Sequence, residues 1–244
     1  MQSQKRVQSP LTTTGSQPFK TVSAVSANKS TECPECQGEG HIFRDGKAHR
    51  CKCGFERRIA HILPPLYLGA GMKDFDPKIQ RRVTEWFENP TPGLFITGPV
   101  GTGKTHLAAA ILRHAMLTNF CRRYCSNDPS RTHRDALFCR CAEFFLKIRA
   151  TYNDSSSRTE LSVVDETAGV HLLILDDLGA GKSDDFERRA ILEVLDRRLN
   201  NMLPTVVTSN LARTEISLKI DDRVSSRLLP FTGIPLDGSD RRNA

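Results

Sequence analysis

The chain has 244 residues, 38% hydrophobic and 26% charged, with a formal net charge of +7 and a pI of about 9.1. That length suits one substantial domain plus a small module, and the basic balance favours an acidic partner such as nucleic acid. No apolar run approaches the ~20 residues of a membrane helix, and residues 1–30 lack the apolar core of a secretory leader. The expectation is a cytoplasmic protein with no membrane contact, whose eight cysteines stay reduced.

Residues 1–30 are rich in Ser, Thr, Gln and Val and predict a disordered tail. Cys33-Pro34-Glu35-Cys36 and Cys51-Lys52-Cys53 then form two close pairs within a module spanning 31–54. Four thiolates so paired can close a tetrahedral zinc site, with the metal supplying folding energy that so small a module lacks. His41 and His49 are alternative ligands, but the paired spacing favours the four cysteines. Residues 55–92 read as a connecting region. A short basic helix near Phe55–Ala60 is ended by Pro64-Pro65, and a helix from Pro77 to Glu88 carries Ile79, Val83, Trp86 and Phe87 on one face. Asn89–Gly93 is a cluster of breakers.

The strongest signal follows. Gly98-Pro99-Val100-Gly101-Thr102-Gly103-Lys104-Thr105 meets the phosphate-loop spacing in full, after the apolar run Leu94–Thr97 and before a helical pattern over Thr105–Thr118. A glycine-rich turn lets backbone N–H groups approach a triphosphate, and the helix presents its positive end. Lys104 is expected on the β- and γ-phosphates and Thr105 on Mg²⁺. Asn119–Arg134 reads as a long basic loop without an assignable role. Ala136–Cys141 reads as a strand and Ala142–Tyr152 as a helix. Cys121, Cys125, Cys139 and Cys141 repeat the paired spacing, but the last two fall in a buried strand, where cysteine packs as a small hydrophobe.

Leu172–Leu175 is an apolar strand ending in Asp176 and Asp177. Asp176 is expected to hold the magnesium water shell and Asp177 to orient or deprotonate the attacking water. Ser183–Asn200 reads as a helix. Pro204–Asn210 is a strand delivering Asn210 toward the attacking water or γ-phosphate. Arg223–Leu229 is a short basic helix, and Phe231–Leu236 a last strand.

Taken together, GPVGTGKTHLA, LLILDDLG, PTVVTSNL and DDRVSSRLL resemble the DnaC/DnaI-type helicase loaders and the related IstB-type ATPases of the AAA+ superfamily, over about residues 55–242. The resemblance implies an α/β P-loop NTPase core of ASCE type, a parallel sheet over 93–244 without a lid domain. It implies ATP hydrolysis with Mg²⁺ and an ATP-dependent homo-oligomer. The DnaI-type loaders also carry an N-terminal zinc module, which Cys33–Cys53 resembles. Walker A maps to Gly98–Thr105, Walker B to Asp176 and Asp177, sensor 1 to Asn210, and the arginine finger acting in trans to Arg227. A loose alignment places Arg149, Tyr152 and Phe186 near single-stranded-DNA contacts. The implied role is loading a DnaB-type replicative helicase onto single-stranded DNA, with the zinc module docking on the helicase. Alternatives are an IstB-like transposition helper and an ATP-switched DNA-binding protein with negligible turnover. The chain departs from the family in having Asp177 where relatives often have Glu, and Asp240-Arg241-Arg242 where they often have D-Y-R.

Overall fold

The computed structural model describes residues 33–88, 92–118, 120, 136–152, 158–180 and 184–237. The expected tail at 1–30, nearly all of the basic insert with Cys121 and Cys125, the breakers Asn89–Thr91 and the segment Asp240–Arg242 lie outside them.

A two-stranded antiparallel hairpin comes first, β1 (His41–Arg44) and β2 (Lys47–Arg50). Asp45 and Gly46 take positive φ of 52° and 70°, the two-residue turn that Asp-Gly favours. The main sheet has five parallel strands: β3 (Gly93–Thr97), β4 (Ala136–Arg140), β5 (Leu172–Leu178), β6 (Thr205–Ser209) and β7 (Thr232–Pro235). Their order is β4-β5-β6-β3-β7. β3, β5 and β6 are buried almost throughout because helices cover both faces, as the wrapping of a parallel sheet requires.

Two apolar clusters flank the sheet. One joins the helix Lys104–Leu117 to Leu94, Ile96, Leu172 and Ile174, and also takes in Ile59, Leu63, Phe75, Val83 and Trp86. The helices Lys52–Ile62 and Pro77–Glu88 are thus built into the body that holds the phosphate loop. The other cluster packs the helices Cys141–Arg149, Glu160–Ala168 and Asp185–Asn200 on the opposite face.

Arg198 is 1% exposed within that second layer. Its guanidinium donates to the carbonyls of Ala168, Val170, His171 and Pro204 and to Thr205 Oγ1, at 2.5–3.3 Å. Burial pulls its pKa down to about 9, which leaves it protonated at neutral pH. The five acceptors satisfy a group that would otherwise be costly inside.

Several boundaries differ from expectation. Cys141 opens a helix instead of closing a strand, since Arg140 is its extended N-terminal cap. Cys139 and Cys141 are both buried. The helices Glu160–Ala168 and Arg213–Lys219 were not anticipated.

Candidate nucleotide site and metal centre

β3 runs straight into the phosphate loop. Gly98 has φ 151°, and a Cβ there would lie 2.1 Å from the Leu236 carbonyl oxygen, so only glycine fits. Gly103 enters the left-handed region at φ 94° to start the helix Lys104–Leu117. Lys104 Nζ donates to the carbonyls of Gly98 (2.8 Å) and Pro99 (2.6 Å), which keeps the ammonium over the loop. Above it opens a cavity of about 620 Å³, lined by Lys104, Thr105, Asp177 and Asn210 on one side and by Leu66 and Tyr67 on the other.

The two Walker B carboxylates reach the site through an irregularity. β5 and β6 are in step up to Leu175↔Val207, but the next pair is Leu178↔Ser209, so β5 carries an extra residue. Asp177 sits in this bulge with φ 63°. A bulge re-aims side chains that a regular strand would send to opposite faces. Thr208 completes the arrangement. Its hydroxyl donates to Asp176 Oδ1 (2.8 Å) and accepts the Asp177 amide N–H (2.9 Å). Thr105 Oγ1 donates to Asp176 Oδ2 (3.3 Å), tying Walker B to the first turn of the phosphate-loop helix. Asn210 Nδ2 donates to Asp177 Oδ1 (3.3 Å). Burial pushes the Asp176 carboxyl above its ordinary value, while the two threonine hydroxyls pull the other way. A bound cation would settle that carboxylate in its charged form. The loop Gly98–Thr105, Asp176, Asp177 and Asn210 therefore lie together in one constellation. The sequence reading missed Thr208.

It also missed the far wall. Asp74 Oδ2 lies 2.8 Å from His106 Nε2, in the first turn of the phosphate-loop helix. The His106 ring contacts Tyr67 and Phe75 at centroid distances of 6.3 and 5.7 Å. The His106 hydrogen bond holds the Asp74 carboxyl below its ordinary value. These contacts fix the segment 66–75 beside the loop.

Arg227 is away from this cavity. Its guanidinium pairs with Asp196 on the helix Asp185–Asn200, with Nη2 to Oδ2 at 3.3 Å. Arg149, Tyr152 and Phe186 do come together. Arg149 binds Asp184 (2.9 Å) and Glu187 (2.6 Å), and the Tyr152 and Phe186 rings meet edge-on at 5.5 Å. Tyr152 also bonds Glu160 at 3.0 Å. The Arg149 charge is thus already met by two carboxylates.

The four N-terminal cysteines converge. Cys33 and Cys51 sulfurs are 3.6 Å apart, those of Cys36 and Cys53 are 3.3 Å apart, and all four lie within 4.8 Å of one another. No disulfide joins any of the four. A tetrahedral thiolate zinc with ~2.3 Å bonds has sulfur–sulfur edges of about 3.8 Å, so the set fits such an ion. The Gly40 amide donates to Cys36 Sγ at 3.2 Å, the kind of bond that supports a ligating thiolate. His41 and His49 are exposed on the hairpin and do not join the cluster. The helix Lys52–Ile62 starts inside it, and its Glu56 takes two bonds from Arg113 of the phosphate-loop helix, at 3.0 and 3.2 Å.

Residues 73–229, more than half of the chain, match the family described as IstB-like ATP binding protein. The chain belongs to that family. Membership in this P-loop group implies ATP binding with Mg²⁺. The replicative helicase loader DnaC of Escherichia coli K12 is 25% identical over 148 residues, covering 61% of this chain and 54% of that protein. An ATP-binding protein of insertion sequence IS1162 from Pseudomonas fluorescens is 30% identical over 155 residues, covering 59% of each. The chain thus spans little more than half the length of these IstB-like relatives. Among solved structures, DnaI superposes with a TM-score of 0.58 at 24% identity, covering 76% of this chain and 100% of that one. This likeness establishes the AAA+ P-loop fold.

Proposed function

We propose that this protein hydrolyses ATP to load a DnaB-type replicative helicase onto single-stranded DNA. The observation that carries the reading is the four-sulfur cluster built onto the ATPase body through Glu56 and Arg113. A loader needs a recruiting module that senses the nucleotide state, and DnaC, named as a helicase loader, supports the same assignment. The cluster is assigned to zinc, with Cys33, Cys36, Cys51 and Cys53 as ligands.

Within the site, the ammonium of Lys104 and the backbone N–H groups of Gly98–Thr105 bind the phosphates. Thr105 and Asp176 are placed to hold Mg²⁺, which would neutralise phosphate charge. Asp177 orients the attacking water and accepts its proton, and Asn210 fixes the Asp177 carboxylate. Leu66 and Tyr67 give the base an apolar wall. Arg227 acts on the nucleotide of a neighbouring subunit in an ATP-dependent oligomer, after leaving Asp196. Arg149, Tyr152 and Phe186 contact DNA, with the ring pair as stacking surface. No helix of the described residues is long and apolar enough to cross a membrane, which accords with a cytoplasmic place of work.

The IS1162 relative favours a second reading, a transposition helper ATPase. A pull-down decides between them. The full chain is expected to capture the DnaB-type helicase in the presence of ATP and zinc. Capture of a transposase instead would reject the loader reading. Equal DNA-stimulated phosphate release by wild type and Lys104→Ala would reject ATP hydrolysis at this site.

A further inference from the structure

The hairpin β1–β2 is not explained by the metal cluster at its base. It pairs with no other strand among the described residues, and nearly every side chain described on it is exposed. Phe43 is 75% exposed, more than Tyr152 at 60%, the other aromatic side chain that stands well out in solvent among the described residues. Opposite it in register stands Ala48, and the next pair on the same face is His41↔Arg50. The ring therefore stands over a small residue, open above, with the imidazole of His41 along the same face.

The charge around it is one-sided. His41–Arg50 contains Arg44, Lys47 and Arg50 together with two histidines, against the one acid Asp45. Arg44 and Lys47 are the pair next to the turn, both exposed and on the face opposite Phe43, and exposed Lys52 and Arg57 follow at the base. Arg57 is held there by the Gly38 carbonyl at 3.4 Å and by Cys53 Sγ at 3.7 Å. No other large apolar side chain is exposed on the hairpin, so it lacks the contiguous apolar patch that a protein partner would desolvate. One open aromatic ring beside a cationic turn matches instead a single strand that stacks a base on one face and passes its backbone over the tip. An accessible base face belongs to a single strand, since a duplex keeps its bases stacked.

We infer that the hairpin is a second single-stranded-DNA contact, in which Phe43 stacks on a base while Arg44 and Lys47, beside the turn, meet phosphates of the strand as it crosses the tip. The inference takes its ligand class from the proposed function but stands on the hairpin's own residues. In a loader, this contact would catch DNA outside the ATPase core and hold it near the recruited partner.

The chain's single tryptophan, Trp86, is 2% exposed, which makes position 43 a clean place for a reporter. Phe43→Trp in the full zinc-loaded chain should lose about half or more of its added fluorescence when oligothymidylate of about fifteen nucleotides is titrated in, and salt should reverse the loss. Phe43→Ala should weaken that oligonucleotide's affinity about tenfold, and Arg44→Glu with Lys47→Glu more, at unchanged metal content. If the charge variant fails to hold metal, the quench of the Phe43→Trp reporter alone decides. DNA binding by the chain without any quench at position 43, and with Phe43→Ala unimpaired, would overturn the inference and leave the loader reading standing. Absence of all oligonucleotide binding would overturn both. Loss of helicase capture in Phe43→Ala at unchanged DNA affinity would make the hairpin a protein dock and also overturn it.

Discussion

Arg113 joins two parts of the chain that lie 57 positions apart, its guanidinium bonding both carboxylate oxygens of Glu56 and also the Ala70 carbonyl at 3.0 Å. Glu56 rides on the helix that starts at the cysteine cluster, and Arg113 on the helix that starts at the phosphate loop. The pair is half-exposed, so its direct contribution is small, about 1 kcal/mol or less. Arg113→Met additionally strands the Ala70 carbonyl, and should lower urea stability by about 1–3 kcal/mol. Glu56→Gln should do less. An unchanged midpoint in both would show that the connection is incidental.

Thr208 serves both Walker B acids with one hydroxyl. Thr208→Val keeps the shape of a buried strand residue but leaves the Asp177 amide and one Asp176 oxygen unmet, at a cost of about 1–3 kcal/mol. Phosphate release should fall by about 10-fold or more, with the affinity for a fluorescent ATP analogue reduced far less. Thr208→Ser should recover most of the rate. Equal losses in binding and turnover would argue that the hydroxyl only supports the fold.

The Asp74–His106 contact carries a pH signature. The Asp74 carboxyl is held below its ordinary value of 3.8 by the His106 hydrogen bond and then by the Gly71 amide. A depressed carboxylate stabilises the fold above its ordinary pKa, and that contribution is lost as pH falls through the lowered value. The stability difference between wild type and Asp74→Asn should therefore be full at neutral pH and shrink below about pH 4. A difference that grows on acidification would contradict the assignment.

Metal removal should act locally. One zinc per chain is expected, released by a strong chelator together with the order of residues 33–51, while Ile59 and Leu63 remain in the apolar cluster that packs the phosphate-loop helix. Amide exchange should rise sharply in the hairpin and only modestly in the helix Lys104–Leu117. Protein purified without chelators that holds no metal would remove the zinc assignment.

Arg227 should complement across subunits. Arg227→Ala and Lys104→Ala should each be nearly inactive alone and recover turnover when mixed. A fully active Arg227→Ala would leave this arginine as a partner of Asp196 and nothing more.

The phosphate loop and the acids of β5 were legible because each is a motif on a strongly apolar strand, and the polar end of β6 because it follows Val206-Val207. Spacing could not reveal the bulge at Asp177, since it depends on how β5 pairs with β6 and not on β5 itself. Thr208 was hidden for the same reason: a threonine in a strand reads as β propensity. The wall at Leu66–Asp74 came from a region with weak periodicity, organised by contacts to His106. Other omissions had signals that went unread. Asp45-Gly46 marks a hairpin turn, and Thr159 with Ser162 forms a reciprocal cap for the helix Glu160–Ala168.

The close approach of Leu236 to Gly98 sets where the catalytic unit can be cut. The last strand is the floor under the phosphate loop: Leu236 donates its amide to Thr97 at 2.7 Å, and its carbonyl lies where a side chain at position 98 would go. A fragment ending before Thr232 would keep every signature residue and still leave the nucleotide seat open from beneath. Any fusion or affinity handle placed at this end therefore belongs beyond Asp237.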